Sequence, residues 1–325
     1  MPEVTVKHVL LLGAGFSRNW GGWLASEMMG ELCSRVADDP NLLMLLRGDD
    51  NFEVVLGNLR QLADSGGTEA KARFSKLDRA ISETFAEMNA VFASGVNFAL
   101  ANSHEKCLHR FLSFFDAIFT LNQDLLLETN YCNHKQPAGD PQWAGYCLPG
   151  VPLPNDWPDM NAKTRLKLLL AISQDREIPQ RRQPIFKLHG SVNWRGTDGS
   201  PQMIVGTGKE VQIQRSDLLR WYGTQFANYL NAGDTRLMVI GYSFSDEYLN
   251  KMLTEAAISN EMKLYLVDPD GLRVLDQQKG GLVKDWALKR ALNIIGVSSR
   301  SFRETFEHDS LSLASFYRFL GQPPP

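Results

Sequence analysis

The sequence predicts an α/β protein, a Rossmann-like doubly wound parallel sheet with a helical insertion. Three observations carry this. Val9-Leu10-Leu11-Leu12 is an unbroken apolar run closed by glycine, the mark of a strand buried on both faces of a parallel sheet. A turn over Gly13, Ala14, Gly15, Phe16 and Ser17 leads into a helix spanning about 24–36, so strand, turn and helix form the opening half of a βαβ unit. Further short apolar runs at 117–120, 185–188, 236–240 and 263–267 each end in polar residues or glycine, as strands of the same sheet would.

The second strand does not follow directly on the first helix. Phe52, Val55, Leu56, Leu59 and Leu62 recur at helical spacing, as do Phe74, Leu77, Ile81, Phe85, Met88 and Phe92, with Asp64-Ser65-Gly66-Gly67 breaking the two series. These are amphipathic helices, and a third is expected over 103–115. Residues 40–115 are therefore read as a helical insertion within one domain spanning 1–325. Between 137 and 158, Pro, Gly, Trp143 and Trp157 give an irregular loop placed to cover a cleft. A helix is expected over 244–257, and an edge strand and closing helix over 291–319.

Composition narrows the function classes. The 325 residues are 43% hydrophobic and 22% charged, enough for a sizeable core. A net charge of -3 gives no sequence-wide electrostatic grip on nucleic acid. The four cysteines, Cys33, Cys107, Cys132 and Cys147, contain no C-x-x-C pair, so neither a disulfide framework nor a metal site is expected. No signal-peptide pattern opens the chain, and no apolar run approaches the roughly 20 residues of a membrane span. A cytoplasmic protein without direct nucleic-acid or membrane binding is expected.

In doubly wound sheets ligands collect beyond the carboxyl ends of the strands, and four strand ends here carry polar groups. Gly13 and Gly15 let the backbone approach a pyrophosphate, the following helix favours its charge, and Ser17 adds a hydroxyl. Arg18 stands where a dehydrogenase fingerprint has its third glycine, and no acidic ribose partner follows a second strand, so hydride transfer is disfavoured. Asn122 offers an amide and Asp124 a carboxylate, although an Asx turn before a helix accounts for Asp124 as well, and for Asn122 less readily. His189 follows an apolar strand and precedes a glycine, where an imidazole would face the phosphate loop and act as a base near neutral pH.

Taken in order, Gly13-Ala14-Gly15-Phe16-Ser17, Thr120-Leu121-Asn122-Gln123-Asp124, Lys187-Leu188-His189-Gly190, the run Val239 to Asp246 and Leu266-Val267-Asp268 resemble the sirtuin family. They resemble more closely its bacterial NAD-hydrolase branch. The resemblance implies that Gly13, Ala14, Gly15, Phe16 and Ser17 contact the NAD phosphates, that Asn122 and Asp124 sit at the nicotinamide and its ribose, and that His189 is the catalytic histidine. Gly241 and Ser243 would form a second phosphate- and ribose-contacting turn, and Asp268 would hold the adenosine end.

The departures from the family direct the chemistry. Family deacylases carry a four-cysteine zinc module after the catalytic histidine, whereas no cysteine follows His189 here. Asn19-Trp20-Gly21-Gly22-Trp23 replaces the acidic-Phe-Arg element. Water is then the natural acceptor, and NAD hydrolysis to ADP-ribose and nicotinamide is the leading expectation. By resemblance such enzymes act in antiphage defence, with a HerA-type ATPase as partner and self-assembly into a homo-oligomer. A deacylase or ADP-ribosyltransferase, and a module that senses NAD or ADP-ribose without turnover, stay open as alternatives.

Overall fold

The computed structural model describes residues 6–49, 51–94, 98, 108–132, 143–276 and 290–324. Strand β1 (Lys7–Leu12) is followed by α1 (Ala14–Arg18) and α2 (Ala25–Arg35). Four helices come next: α3 (Pro40–Arg47), α4 (Phe52–Asp64), α5 (Thr68–Ser94) and α6 (Leu108–Ser113). The part of the expected third insertion helix before 108 lies outside the described residues. The chain then enters β2 (Ala117–Thr120), α7 (Leu126–Asn130), β3 (Gly145–Cys147), α8 (Ala162–Lys167), β4 (Leu170–Ala171), β5 (Arg182–Lys187), β6 (Gly190–Arg195) and β7 (Pro201–Met203). It closes with α9 (Lys209–Arg215), α10 (Asp217–Leu230), β8 (Thr235–Ile240), α11 (Glu247–Asn260), β9 (Lys263–Val267), β10 (Asn293–Ser298), α12 (Phe302–His308) and α13 (Ser310–Phe319).

Seven strands form one parallel sheet in the order β10-β9-β8-β1-β2-β5-β3. The chain runs outward from β1 through β2, then returns across β1 to begin β8. That reversal is the topological switch point of a doubly wound fold. Val9, Leu10, Leu11 and Leu12 are fully buried, which is why the first strand reads as a continuous apolar run.

Register assigns the faces. Leu11 lies level with Phe119 and Val239, and Leu10 with Ile118 and Met238, so neighbouring residues alternate between faces. On the Leu11 face α10 packs aromatic on aromatic, with Phe226 4.8 Å and Tyr229 5.6 Å from Phe119 between ring centroids. On the Leu10 face Tyr265, level with Met238, meets Phe316 and Phe319 of α13, each at 5.3 Å. Both faces are thereby closed by helices. No helix among the described residues is long and apolar enough to cross a membrane.

Three short elements depart from the sequence expectation. Within the expected 137–158 loop the chain adds a three-residue edge strand, β3, with Tyr146 level with Gln183. The turn expected after His189 is strand β6, which pairs with β4 and β7 in a separate three-stranded sheet. The expected closing helix is two helices, α12 and α13, divided at Asp309. With three residues, β3 is too short to show a period of its own.

Gln183, fully buried on β5, ties the sheet to two helices. Its amide nitrogen, Nε2, donates to the carbonyls of Leu112 and Phe115, each at 2.8 Å, and its Oε1 accepts from the Tyr131 hydroxyl at 2.6 Å. Gln183→Leu leaves these partners buried without a bond, and the expected loss is about 2–4 kcal/mol. Urea unfolding of the variant measures it, and a loss below about 0.5 kcal/mol would deny Gln183 this role.

Candidate functional site

The strand ends are level. Leu12 pairs with Thr120 on one side and Ile240 on the other, Thr120 with Lys187, Ile240 with Val267 and Val267 with Ser298. One row of residues therefore closes the carboxyl edge of the sheet. Gly13, Gly241 and Asp268 stand one residue beyond that row, and Asn122 and His189 two beyond it. Parallel pairing alone thus gathers these predicted residues along one edge, where such folds bind ligands.

At the switch point the two glycine turns abut backbone to backbone. Gly13 N–H donates to Ile240 O and Gly15 N–H to Gly241 O, both at 3.0 Å. A Cβ on Gly15 would lie 2.7 Å from the Gly241 Cα, and one on Gly13 would collide with the Gly241 carbonyl. Gly241 has φ +62, a left-handed conformation that favours glycine. The glycines are thus required by this loop-to-loop contact, independently of any phosphate. Phe16 turns its ring into the core against Trp20 and Phe302, at 4.8 and 5.7 Å, so only its backbone belongs to the loop. Ala14 is exposed.

Beside the turns lies a buried polar cluster. Asn122 Nδ2 donates to Gly13 O and to Ser17 Oγ, both at 2.9 Å, and Ser17 Oγ donates to Asp124 Oδ2 at 2.7 Å. The other oxygen of Asp124 accepts from Leu126 N–H at 3.0 Å, an Asx turn into α7. Ser17, Asn122 and Asp124 therefore form one network, and the Ser17 hydroxyl is already engaged within it. The insertion reaches this loop as well, since Asn89 Oδ1 on α5 accepts from Leu125 N–H at 2.8 Å.

On the next turn, His189 Nε2 lies 2.9 Å from Asp246 Oδ2, with only 3% and 4% of the two side chains exposed. As placed, the two atoms approach without hydrogen-bond alignment, and neither has another hydrogen-bond partner among the described residues. Burial works to raise the Asp246 carboxyl, but His189, Lys209 and the Leu249 N–H outweigh it and hold it below the ordinary aspartate range. Asp246 closes the run Val239 to Asp246, where nothing local to it in the sequence distinguishes it from a plain N-cap. It is one, with Oδ1 accepting from Leu249 N–H at 3.2 Å. Ser243 Oγ pairs with Ser245 Oγ at 2.8 Å, and Asp268 Oδ1 accepts from Asp270 N–H at 2.9 Å.

Beneath the loop is a second residue that the sequence did not reveal. Lys187, the last residue of β5, forms a buried ion pair with Glu128 of α7 at 2.6 Å, each side chain 2% exposed. Lys187 Nζ also donates to the Asp124 carbonyl. Burial pushes the Glu128 carboxyl up, and the Lys187 ammonium opposes it.

A cavity of about 690 Å³ lies elsewhere, at the β3 edge, between residues 144–157 and the approach to β5. It is lined by Tyr146, Cys147, Trp157 and Arg182 among others, and by none of the predicted site residues. The described part of the expected covering loop thus lines a space of its own; residues 137–142 lie outside the described residues.

Residues 116–290, just over half of the chain, match the family described as SIR2-like domain. The matched span holds Asn122, Asp124, His189, Gly241, Ser243, Asp246 and Asp268, while the Gly13 turn precedes it. No curated protein matches the chain.

The buried pair makes a stability prediction. Lys187→Met strands Glu128 without a counter-charge, and a loss of about 3–5 kcal/mol is expected. Adding Glu128→Leu should recover most of it, because an apolar pair of similar volume is often neutral against a buried ion pair. Chemical denaturation of both variants checks this; a single variant as stable as wild type would show the pair to be idle.

Proposed function

Because the chain belongs to the SIR2-like domain family, whose members use NAD, we propose that it is an NAD hydrolase that cleaves the nicotinamide–ribose bond to release nicotinamide and ADP-ribose. The observation that supports this most strongly is the level row of strand ends, which sets the Asn122 network and the His189–Asp246 pair along one edge at the switch point.

The dinucleotide in this reading is the substrate. Its phosphates lie along the abutted turns at Gly13–Ser17 and Gly241–Ser243, with the adenosine end toward Asp268. The pyridinium of NAD is already a good leaving group, and its departure passes through an oxocarbenium-like state of the kind glycosidases stabilise. The protein therefore has mainly to position and to move one proton. Asn122, fixed from both sides by Gly13 O and Ser17 Oγ, orients the carboxamide or the incoming water. His189 accepts the proton from water or a ribose hydroxyl. Asp124, its carboxylate already shared between Ser17 and Leu126, acts on the ribose region through Ser17.

The sequence carries no cysteine after His189 with which to build the zinc-bound groove of the family's deacylases, which favours water as the acceptor. The same reading makes the chain a regulated effector of antiphage defence that acts by NAD depletion, self-assembled and triggered by a HerA-type ATPase. This extension rests on the sequence resemblance.

The test is loss of NAD in the presence of the purified chain, alone and with a HerA-type ATPase. Wild type should release nicotinamide and ADP-ribose in equal amounts. Asn122→Ala and His189→Ala should each slow release about 100-fold or more. Variants as fast as wild type would place the chemistry elsewhere, and release that depends on an acetylated peptide would make the chain a deacylase.

A further inference from the structure

The His189–Asp246 contact joins two turns on opposite sides of the switch point. His189 follows β5, and Asp246 begins α11 after β8. The Asp246 backbone is held as firmly as its side chain. Its N–H donates to the Tyr242 hydroxyl at 3.2 Å, and that hydroxyl donates to Asn250 Oδ1 at 3.0 Å. Asn250 Nδ2 in turn donates to Phe244 O at 2.8 Å. Phe244 has φ +52, a conformation that costs a non-glycine residue free energy and persists only where surrounding structure enforces it. The loop is therefore built to deliver the Asp246 carboxylate to one place.

The two carboxylate oxygens have separate tasks. Oδ1 caps α11, and Oδ2 faces Nε2 of His189. Lys209, Tyr242 and Tyr248 also interact electrostatically with Asp246. An ionised carboxylate only accepts hydrogen bonds, so a ring proton on the nitrogen facing it is what makes this 2.9 Å approach favourable. We propose that Asp246 is the positioning residue that holds His189 as its Nε2–H tautomer, leaving Nδ1 as the nitrogen that takes up the proton. The proposal rests on the reading of His189 as the base in NAD cleavage. It adds which nitrogen acts and what orients it.

Asp246→Asn is the informative variant, because Asn caps a helix about as well as Asp and leaves α11 intact. Its amide can present N–H to the ring in place of a carboxylate oxygen, which favours the opposite tautomer and protonates the nitrogen needed as base. Orienting carboxylates of this kind carry large effects when replaced by an amide. The expected result is a fall of about 100-fold or more in kcat for NAD cleavage, with KM and the thermal midpoint close to wild type. Nitrogen-15 spectra of the imidazole should show the Nε2–H form in wild type and its loss in Asp246→Asn. Asp246→Glu, which keeps the charge, should recover part of the rate.

A wild-type ring in the Nδ1–H form would overturn the proposal, as would an Asp246→Asn enzyme with unchanged kcat. A fall in thermal midpoint that accounts for the lost rate would reduce Asp246 to a helix cap and overturn it too. The ring spectra need no turnover. A wild type that shows the Nε2–H form yet does not cleave NAD with its partner would therefore sink the functional reading and leave the His189–Asp246 pairing standing.

Discussion

The contact between the Gly13–Gly15 turn and the Gly241 turn governs the rest of the site. Two backbones meet with no room for a Cβ on either side, and this closeness sets the spacing of β1 and β8 at their carboxyl ends. Everything with chemical potential is referred to that junction. Asn122 hangs from the Gly13 carbonyl, and Asp246 lies five residues beyond Gly241 on a loop tied down by Tyr242 and Asn250. A junction of main-chain atoms cannot relax by changing rotamer, so the side chains attached to it inherit a fixed frame.

Below that frame the polar groups form a graded floor. At the top are Ser17, Asn122 and Asp124, mutually hydrogen bonded. Under them Lys187 holds the Asp124 carbonyl and neutralises Glu128 in a place without solvent. A fully satisfied buried network of this kind favours a single arrangement over neighbouring ones, because each alternative leaves a charge or a hydroxyl unmatched. The helical insertion joins the same floor through Asn89.

What was legible in the sequence was local. The buried central strand, the glycine turn and the strand-end positions of Asn122 and His189 each declare themselves within a few residues, through apolar runs and their punctuation. Pairings across the fold were not legible. Lys187 reads as the polar end of a strand until Glu128 arrives from α7, and Asp246 reads as a helix cap until His189 arrives from another turn. Ser17 was read as a free donor for phosphate, yet its hydroxyl is engaged by Asp124 and Asn122. Phe16 was read as a loop residue, yet its ring belongs to the aromatic core. β3 and β7 have three residues each, fewer than a periodicity argument can use.

The order of strands also has a temporal meaning. β1 is central in the sheet, and one of its two neighbours, β8, begins only at Thr235. Parallel pairing over such a separation is slow and comes late in folding. A nascent chain therefore carries Asn122 and His189 well before it carries Gly241 to seat the first turn or Asp246 to orient the imidazole. Half-made copies hold those side chains without the frame around them, so the topology itself delays assembly of the cluster until β8 and the loop after it have been made.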